Sequence, residues 1–230
     1  MKTLAIDTSL AAGSAAAIDG GRVADRRFAP PGDHARLLAA ALADVAGELG
    51  WTPRDAELIA VIRGPGSFTG LRVGVAAAKA VAWATGARLV GVSAFDVIAR
   101  TSSRLAGWPD APIQIGFDAG RGEVFAATAI PAAASPTGWS IGPAALAALA
   151  DWIDSLAPDA LVSGPVLAVE ACAAAIAARP GLRLAPPAAR TATAVEAGRV
   201  ALLRAAAGEY DDLHTLLPDY IRPSYAEDRG

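Results

Sequence analysis

The hydrophobic pattern of the first hundred residues switches repeatedly between strand and helix periods. Residues 2–7, 14–18 and 22–28 read as three short strands joined by turns, the second turn being Asp19-Gly20-Gly21. Leu37, Leu38, Ala41, Leu42, Val45 and Leu49 then recur at helical spacing and make one apolar stripe. Asp33 is the expected N-cap of this helix, and Gly50 and Pro53 end it. A strand at 58–62, a glycine turn, a helix from about 69 to 85 stopped by Gly86, and a strand at 88–92 follow. Ser93-Ala94-Phe95-Asp96 has the spacing of a capping box and opens a further helix. The stretch 102–112, which holds prolines and a glycine, is the expected domain junction.

The opening pattern then recurs in part. Ile113-Gln114-Ile115-Gly116-Phe117-Asp118-Ala119 echoes Leu4-Ala5-Ile6-Asp7-Thr8, an apolar strand running to an aspartate and then small residues. Each is followed by a glycine-containing turn and a second apolar strand, 14–18 and 123–130. Two hairpin-first half-repeats of α/β type point to an internal duplication. The expected partition is an N-terminal sub-domain over 1–105 that carries a partner interface, and a smaller, degenerate one over 106–230. The second half has a Gly/Pro-rich loop at 135–143 and expected helices at 143–155, 165–178 and 192–207, the last belonging to the second sub-domain.

Between the strand at 58–62 and its helix lies Arg63-Gly64-Pro65-Gly66-Ser67-Phe68-Thr69-Gly70-Leu71-Arg72-Val73-Gly74. Gly64 and Gly66 permit positive φ, Pro65 pre-sets the turn, and Ser67 or Thr69 can cap the new helix. Two readings stay open: a plain strand-to-helix turn, or a phosphate cradle of free amides at the positive end of the helix dipole. No Gly-Lys-Ser/Thr follows, so this is not a P-loop, and Ser67 lacks the Gly-x-Ser-x-Gly frame of a nucleophile elbow. Within the helix Gly70, Gly74 and Ala78 stand four apart, a face on which another backbone can approach closely. Leu71, Val73, Val75, Val81 and Trp83 fill other faces and leave Arg72 and Lys79 as the clear polar residues. Such a helix needs cover nearly all round, from its own domain or from a partner helix.

Composition narrows the class. Hydrophobic residues make up 53% and aromatics only 6%, with alanine supplying the difference, so close helix approach replaces bulky packing. A net charge of −3, with no basic run longer than Arg26-Arg27, argues against this chain as a main nucleic-acid-binding surface. The short apolar run before Asp7 does not make a signal peptide and no stretch is long enough to span a membrane, so a cytoplasmic protein is expected. Cys172, the single cysteine, excludes an internal disulfide and sits among alanines as an expected buried thiol.

RGPGSFTGLRVG resembles the segment that marks bacterial TsaB proteins, formerly YeaZ, and more loosely their paralogue TsaD. Leu4-Ala5-Ile6-Asp7-Thr8-Ser9 is similar to the family's first strand, and Asp118-Ala119-Gly120-Arg121-Gly122-Glu123-Val124-Phe125 to its mid-chain segment. Pro218-Asp219-Tyr220-Ile221-Arg222-Pro223 is similar to its Pro-x-Tyr-x-Arg ending. The resemblance implies an actin-like, ribonuclease-H-like α/β fold of the ASKHA superfamily, in two sub-domains each with a mixed sheet and flanking helices. It implies a non-catalytic dimerisation or scaffold subunit that binds and activates a TsaD-like transferase. That complex makes threonylcarbamoyladenosine at position 37 of ANN-decoding tRNAs, with a TsaE-like ATPase as third member. Alone, such a subunit self-associates as a homodimer, and it meets tRNA only through the complex. No cofactor is implied beyond a nucleotide at the subunit boundary.

The helices at 34–49 and 69–85 are similar to the family's pairing helices. His34, Leu38, Leu42, Gly70, Arg72, Val73, Gly74, Ala77 and Val81 are therefore the expected partner interface. Asp7, Thr8 and Asp118 stand where actin-like kinases orient metal-bound phosphate, and are the candidates for nucleotide binding. Strand-end aspartates that bond nearby backbone amides are the other reading of the same residues. TsaD-type proteins hold a catalytic metal with a His-x-x-x-His pair. Here the second position after His34 is Leu38, and the other histidine, His214, is far away in sequence, so neither a metal site nor a catalytic residue is expected. The rival from the enzyme class is a free-standing actin-like ATPase or phosphotransferase.

Overall fold

A computed structural model describes residues 1–28, 34–107 and 111–221, with the side chain of His34 excepted. It divides into two compact units, one of Met1–Ala94 with Ala192–Asp219 and the other of Phe95–Thr191, to which Tyr220 also belongs.

The first unit is built on a five-stranded sheet. Strands β1 (Thr3–Asp7), β2 (Gly13–Asp19) and β3 (Arg22–Phe28) form an antiparallel meander, and β4 (Leu58–Gly64) and β5 (Arg88–Ser93) continue from β1 in parallel, giving the order β3-β2-β1-β4-β5. Helices α1 (His34–Glu48) and α2 (Phe68–Thr85) cover one face. There Leu4, Ile6, Ala15, Ala17, Ile59 and Val61 join Leu38, Leu42, Val45, Val75 and Ala78 in one buried core. Helix α6 (Ala194–Ala206) packs on β1, β2, β4 and β5. It approaches closely because Gly198 carries no side chain: a Cβ there would stand 2.7 Å from Ile18 Cδ1 and 3.2 Å from Ala5 Cβ. Cover on both faces explains why β1 is buried throughout and reads as an apolar run instead of an alternation.

The edge strand β5 is closed by the segment after α6. Asp211 bridges Leu89, and its carboxylate accepts from the Gly91 amide at 2.9 Å. Arg204 donates to the Gly91 carbonyl at 2.7 Å and reaches the Asp211 carboxylate at 3.4 Å. A charged pair thus satisfies backbone groups that an open edge would offer to another chain.

In the second unit, strands β6 (Ile113–Gly120), β7 (Glu123–Pro131) and β8 (Trp139–Ile141) form the meander. Strands β10 (Leu161–Ser163) and β11 (Arg183–Leu184) run parallel to β6, in the order β11-β10-β6-β7-β8. This is the topology of the first sheet, so the duplication expected from the sequence is present in the strand order. A further strand, β9 (Ala145–Ala148), pairs with β7. Helices α3 (Ala94–Ala106), α4 (Leu149–Ser155) and α5 (Glu170–Ala177) complete the unit. Val124, Trp152, Ile153, Val162, Leu167 and Ile176 form its core.

Several sequence expectations differ from this arrangement. The C-terminal helix, expected in the second sub-domain, packs on the first sheet, because Gly198 and its small neighbours fit the alanine-lined strands. The junction expected at 102–112 overlaps α3, where Ser102 is buried and donates to Ser163 Oγ at 2.8 Å, and the unit boundary falls at Ala94 instead. Ala145–Ala148 is a strand where a helix was expected, since pairing with β7 outweighs the helix preference of alanine. The expected loop at 135–143 contains β8, and the expected helix at 165–178 opens with a 3-10 turn over Pro165–Ala168 before α5. The N-cap expectation at Asp33 lies outside the described residues. Among the described residues no helix is long and apolar enough to cross a membrane.

Asp211→Ala should lower stability by about 1–3 kcal/mol, because it strands the Gly91 amide and takes a charged acceptor from Arg204. The midpoint of urea unfolding of the whole chain measures it.

Candidate partner-facing site

Helix α2 begins in the turn that the sequence singled out. Gly64 adopts φ 149°, and a Cβ there would meet the Asp219 carbonyl oxygen at 2.7 Å. Ser67 is the N-cap, its Oγ accepting from the Gly70 amide at 3.3 Å. At the other end Gly86, with φ 73°, caps the helix by donating to the Ala82 carbonyl. Gly66, expected to supply a positive φ, is not among the residues that adopt one. Its lack of a side chain serves close approach instead, since a Cβ would stand 2.4 Å from the Ser9 carbonyl oxygen.

What fills the glycine face of α2 is this chain's own β1–β2 connection. A Cβ on Gly70 would meet the Thr8 carbonyl oxygen at 2.0 Å, and one on Gly74 would meet Thr8 Oγ1 at 2.3 Å. Hydrogen bonds fix the contact. Thr8 Oγ1 donates to the Gly70 carbonyl at 2.7 Å, and the Ser67 amide donates to the Ser9 carbonyl at 2.7 Å. Behind them Asp7 Oδ1 accepts from the Ser9 amide at 2.9 Å and from Ser9 Oγ at 2.6 Å. Asp7, Thr8 and Ser9 are all buried, at 2%, 0% and 0% exposure. Burial of these polar atoms is tolerable because they are bonded to one another and to α2.

The opposite face of α2 is open. Thr69, Arg72, Ala76, Ala80, Trp83 and Ala84 are exposed, and Trp83 is 77% exposed. The Arg72 guanidinium lies 3.8 Å above the ring of Phe68, itself an exposed aromatic. Neighbouring α1 shows a similar surface, with Ala35, Ala39, Ala40, Ala43 and Gly47 exposed along it. Two adjacent helices thus turn small side chains outward, where charged residues are usual.

This geometry corrects the expected interface in part. Leu38 and Leu42 belong to the buried core, and Gly70 and Gly74 are covered by Thr8, so none of the four lies on the open face. Arg72 is exposed, while Val73, Ala77 and Val81 are half-buried. The side chain of His34 lies outside the described residues. Ala76 and Ala80 were missed. Their signal was a second small-residue stripe on α2, one that spacing alone does not distinguish from the glycine stripe.

The nucleotide candidates all make hydrogen bonds within the chain. Asp7 and Thr8 turn their polar atoms inward onto Ser9 and Gly70, in a loop whose approach is filled by the glycine face of α2. Asp118, in the other unit, is exposed, and its Oδ1 accepts from the Gly120 amide at 3.0 Å. Both aspartates therefore match the backbone-bonding reading. Among the described residues no group of three or more His, Cys, Asp or Glu could hold a metal ion. Cys172 is buried, and that burial, followed by the charge of Asp118, pushes its thiol pKa up, away from a reactive thiolate.

A duplicated hairpin-first sheet topology with flanking helices defines an actin-like, ribonuclease-H-like α/β fold. Two solved structures from Pseudomonas aeruginosa share the fold. One, described as an uncharacterized protein with similarity to peptidase YeaZ, is 24% identical, with TM-score 0.79 over 96% of this chain and 99% of its own. The other, described as YeaZ, is 24% identical, with TM-score 0.77 over 95% and 99%. The family model TsaD, tRNA N6-adenosine threonylcarbamoyltransferase, matches residues 31–150, and the chain belongs to that family, in its TsaB (YeaZ) group. The tRNA threonylcarbamoyladenosine biosynthesis protein TsaB of Escherichia coli is 32% identical over 125 residues, 54% of this chain and 53% of the relative. Its Bacillus subtilis namesake is 40% identical over 73 residues, 32% and 30%. The match thus spans about half or less of these relatives' length.

The two kinds of glycine in these helices should respond oppositely to alanine. Gly70→Ala should cost about 3 kcal/mol or more, because backbone atoms stand in its way. Gly47→Ala, on the open face of α1 with nothing within 4 Å of its Cβ position, should gain about 0.5–1 kcal/mol. Thermal melting of both variants beside the unaltered chain checks the contrast.

Proposed function

We propose that this chain is a partner subunit in tRNA threonylcarbamoyladenosine biosynthesis. It holds and orients a TsaD-like transferase through the outer faces of α1 and α2 and does not itself transfer the threonylcarbamoyl group. The observation that carries this reading is the division of labour on α2. Its polar neighbours Asp7, Thr8 and Ser9 are consumed inside the chain, while Ala76, Ala80 and Trp83 face outward. Small side chains let a second helix approach to about 8 Å, and an exposed tryptophan supplies the aromatic anchor on which interfaces commonly depend.

The names of the relatives support the pathway. The net charge of −3 supports a subunit that leaves tRNA binding to its partner. A TsaE-like ATPase is the third member in this reading. The same face pairs two copies of this chain when the transferase is absent, since an outward stripe of alanines is self-complementary about a two-fold axis.

Ala80→Arg should abolish co-elution with a purified TsaD-like transferase on size exclusion while changing stability by no more than about 0.5 kcal/mol, as befits an exposed position. Unaltered co-elution of that variant, or threonylcarbamoyl transfer to tRNA by this chain alone, would contradict the proposal.

A further inference from the structure

The connection between β1 and β2 packs on the glycine face of α2, opposite the exposed face of that helix. We infer that Asp7, Thr8 and Ser9 act as a positioning knot that fixes the rotational setting of α2, and thereby the direction of Ala76, Ala80 and Trp83. The inference rests on the partner reading of that face and goes beyond it, by giving a residue remote from the surface control over association.

The geometry is restrictive. A helix presents a different residue with each 100° of rotation. Thr8 meets α2 where Gly70 and Gly74 stand one turn apart, and a Cβ at either position would lie 2.0 Å or 2.3 Å from a Thr8 oxygen. Rotating α2 by one residue would bring a side chain into that space, so one setting alone fits. The two bonds that hold the setting come from different residues of the loop: Thr8 Oγ1 to the Gly70 carbonyl at 2.7 Å, and the Ser67 amide to the Ser9 carbonyl at 2.7 Å. Asp7 is the anchor of the loop. Its Oδ1 gathers both the amide and the hydroxyl of Ser9, and so holds the Ser9 carbonyl toward Ser67.

Anchoring needs an acceptor oxygen at residue 7 and not a negative charge. A role in binding metal-bound phosphate would need the charge. Asp7→Asn therefore separates the two. The asparagine oxygen can accept from Ser9 as the carboxylate does, whereas a phosphate site would lose its ion. At Thr8 the hydroxyl is what matters. Thr8→Ser keeps the donor, and Thr8→Val keeps the shape and removes it.

Calorimetric titration of each full-length variant into a purified TsaD-like transferase tests the inference, at a temperature where circular dichroism shows every variant folded. Asp7→Asn and Thr8→Ser should bind within about twofold of the unaltered chain. Thr8→Val should bind about two- to tenfold more weakly, the equivalent of one lost hydrogen bond. Trp83→Glu should lose at least about thirtyfold.

If Thr8→Val binds like the unaltered chain while Trp83→Glu does not, the positioning inference fails and the partner reading stands. If Trp83→Glu keeps full affinity, or the unaltered chain does not bind, the partner reading fails and takes the inference with it. Loss of binding in Asp7→Asn returns Asp7 to a role that needs its charge and overturns the inference. Should Thr8→Val not fold, Thr8→Ala takes its place, because it removes the hydroxyl that bonds the Gly70 carbonyl and puts no methyl group against that oxygen. Full affinity in that variant overturns the inference equally.

Discussion

Everything in the first unit is arranged around one contact, the insertion of the β1–β2 connection into the glycine face of α2. The Thr8 and Ser9 carbonyls come so near the helix that no side chain is tolerated at Gly66 or Gly70, and the Thr8 hydroxyl closes the space at Gly74. Such closeness leaves no room for water, so each polar atom in the seam needs a protein partner. Those partners are present: Gly70 accepts the Thr8 hydroxyl, Ser67 donates to Ser9, and Asp7 collects the amide and hydroxyl of Ser9. The helix that results lies against parallel β4 with its apolar residues Leu71 and Val75 inward, and its remaining face open.

The duplication shows how particular this seam is. Both sheets have the same strand order, and Asp7 and Asp118 occupy matching hairpin-first strands. The connections after them differ. Five residues separate β1 from β2, enough chain to fold inward, and their first two pack on α2. Between β6 and β7 only Arg121 and Gly122 intervene, with φ of 58° and 75°, the mirror-turn region that joins strands directly. A connection that short leaves Asp118 in solvent with a local amide for a partner. One ancestral arrangement has thus become a buried knot in one half and a plain hairpin in the other.

Much of this was legible in the residues, and what was not has a common cause. Strands β1 to β5 and helices α1 to α3 followed from local periodicity and punctuation, because Gly20, Gly50 and Gly86 stand at their ends and their apolar stripes are unbroken. The string from Arg63 to Gly74 was rightly singled out, and Ser67 caps as expected. Its glycines were read as a surface for another protein because spacing shows that a backbone will come close, and not whose backbone it is. Leu38 and Leu42 fell to the same ambiguity, since an apolar stripe looks alike under a domain's own sheet and under a partner. Strand β9 depends on pairing with β7, and the home of α6 on small residues fitting strands more than a hundred positions away. Alanine, which carries little preference of its own for a neighbour, gives no local sign of either.

The small residues of α1 and α2 face in two directions. Inward, α2 must approach β1 to backbone distance, which glycine and Ala78 allow. Outward, Ala76 and Ala80 on α2 and Ala39, Ala40 and Ala43 on α1 expose little apolar area while the chain is alone, so solvent tolerates them at small cost. Trp83, 77% exposed, stands at one end of α2, and Phe68, under the Arg72 guanidinium, at the other. On the proposed partner reading, such a face gains mainly by dispersion and close fit and discriminates by shape. Shape discrimination works only if the helix cannot rotate in its seat, and a seam that admits no Cβ is the means by which this fold prevents it.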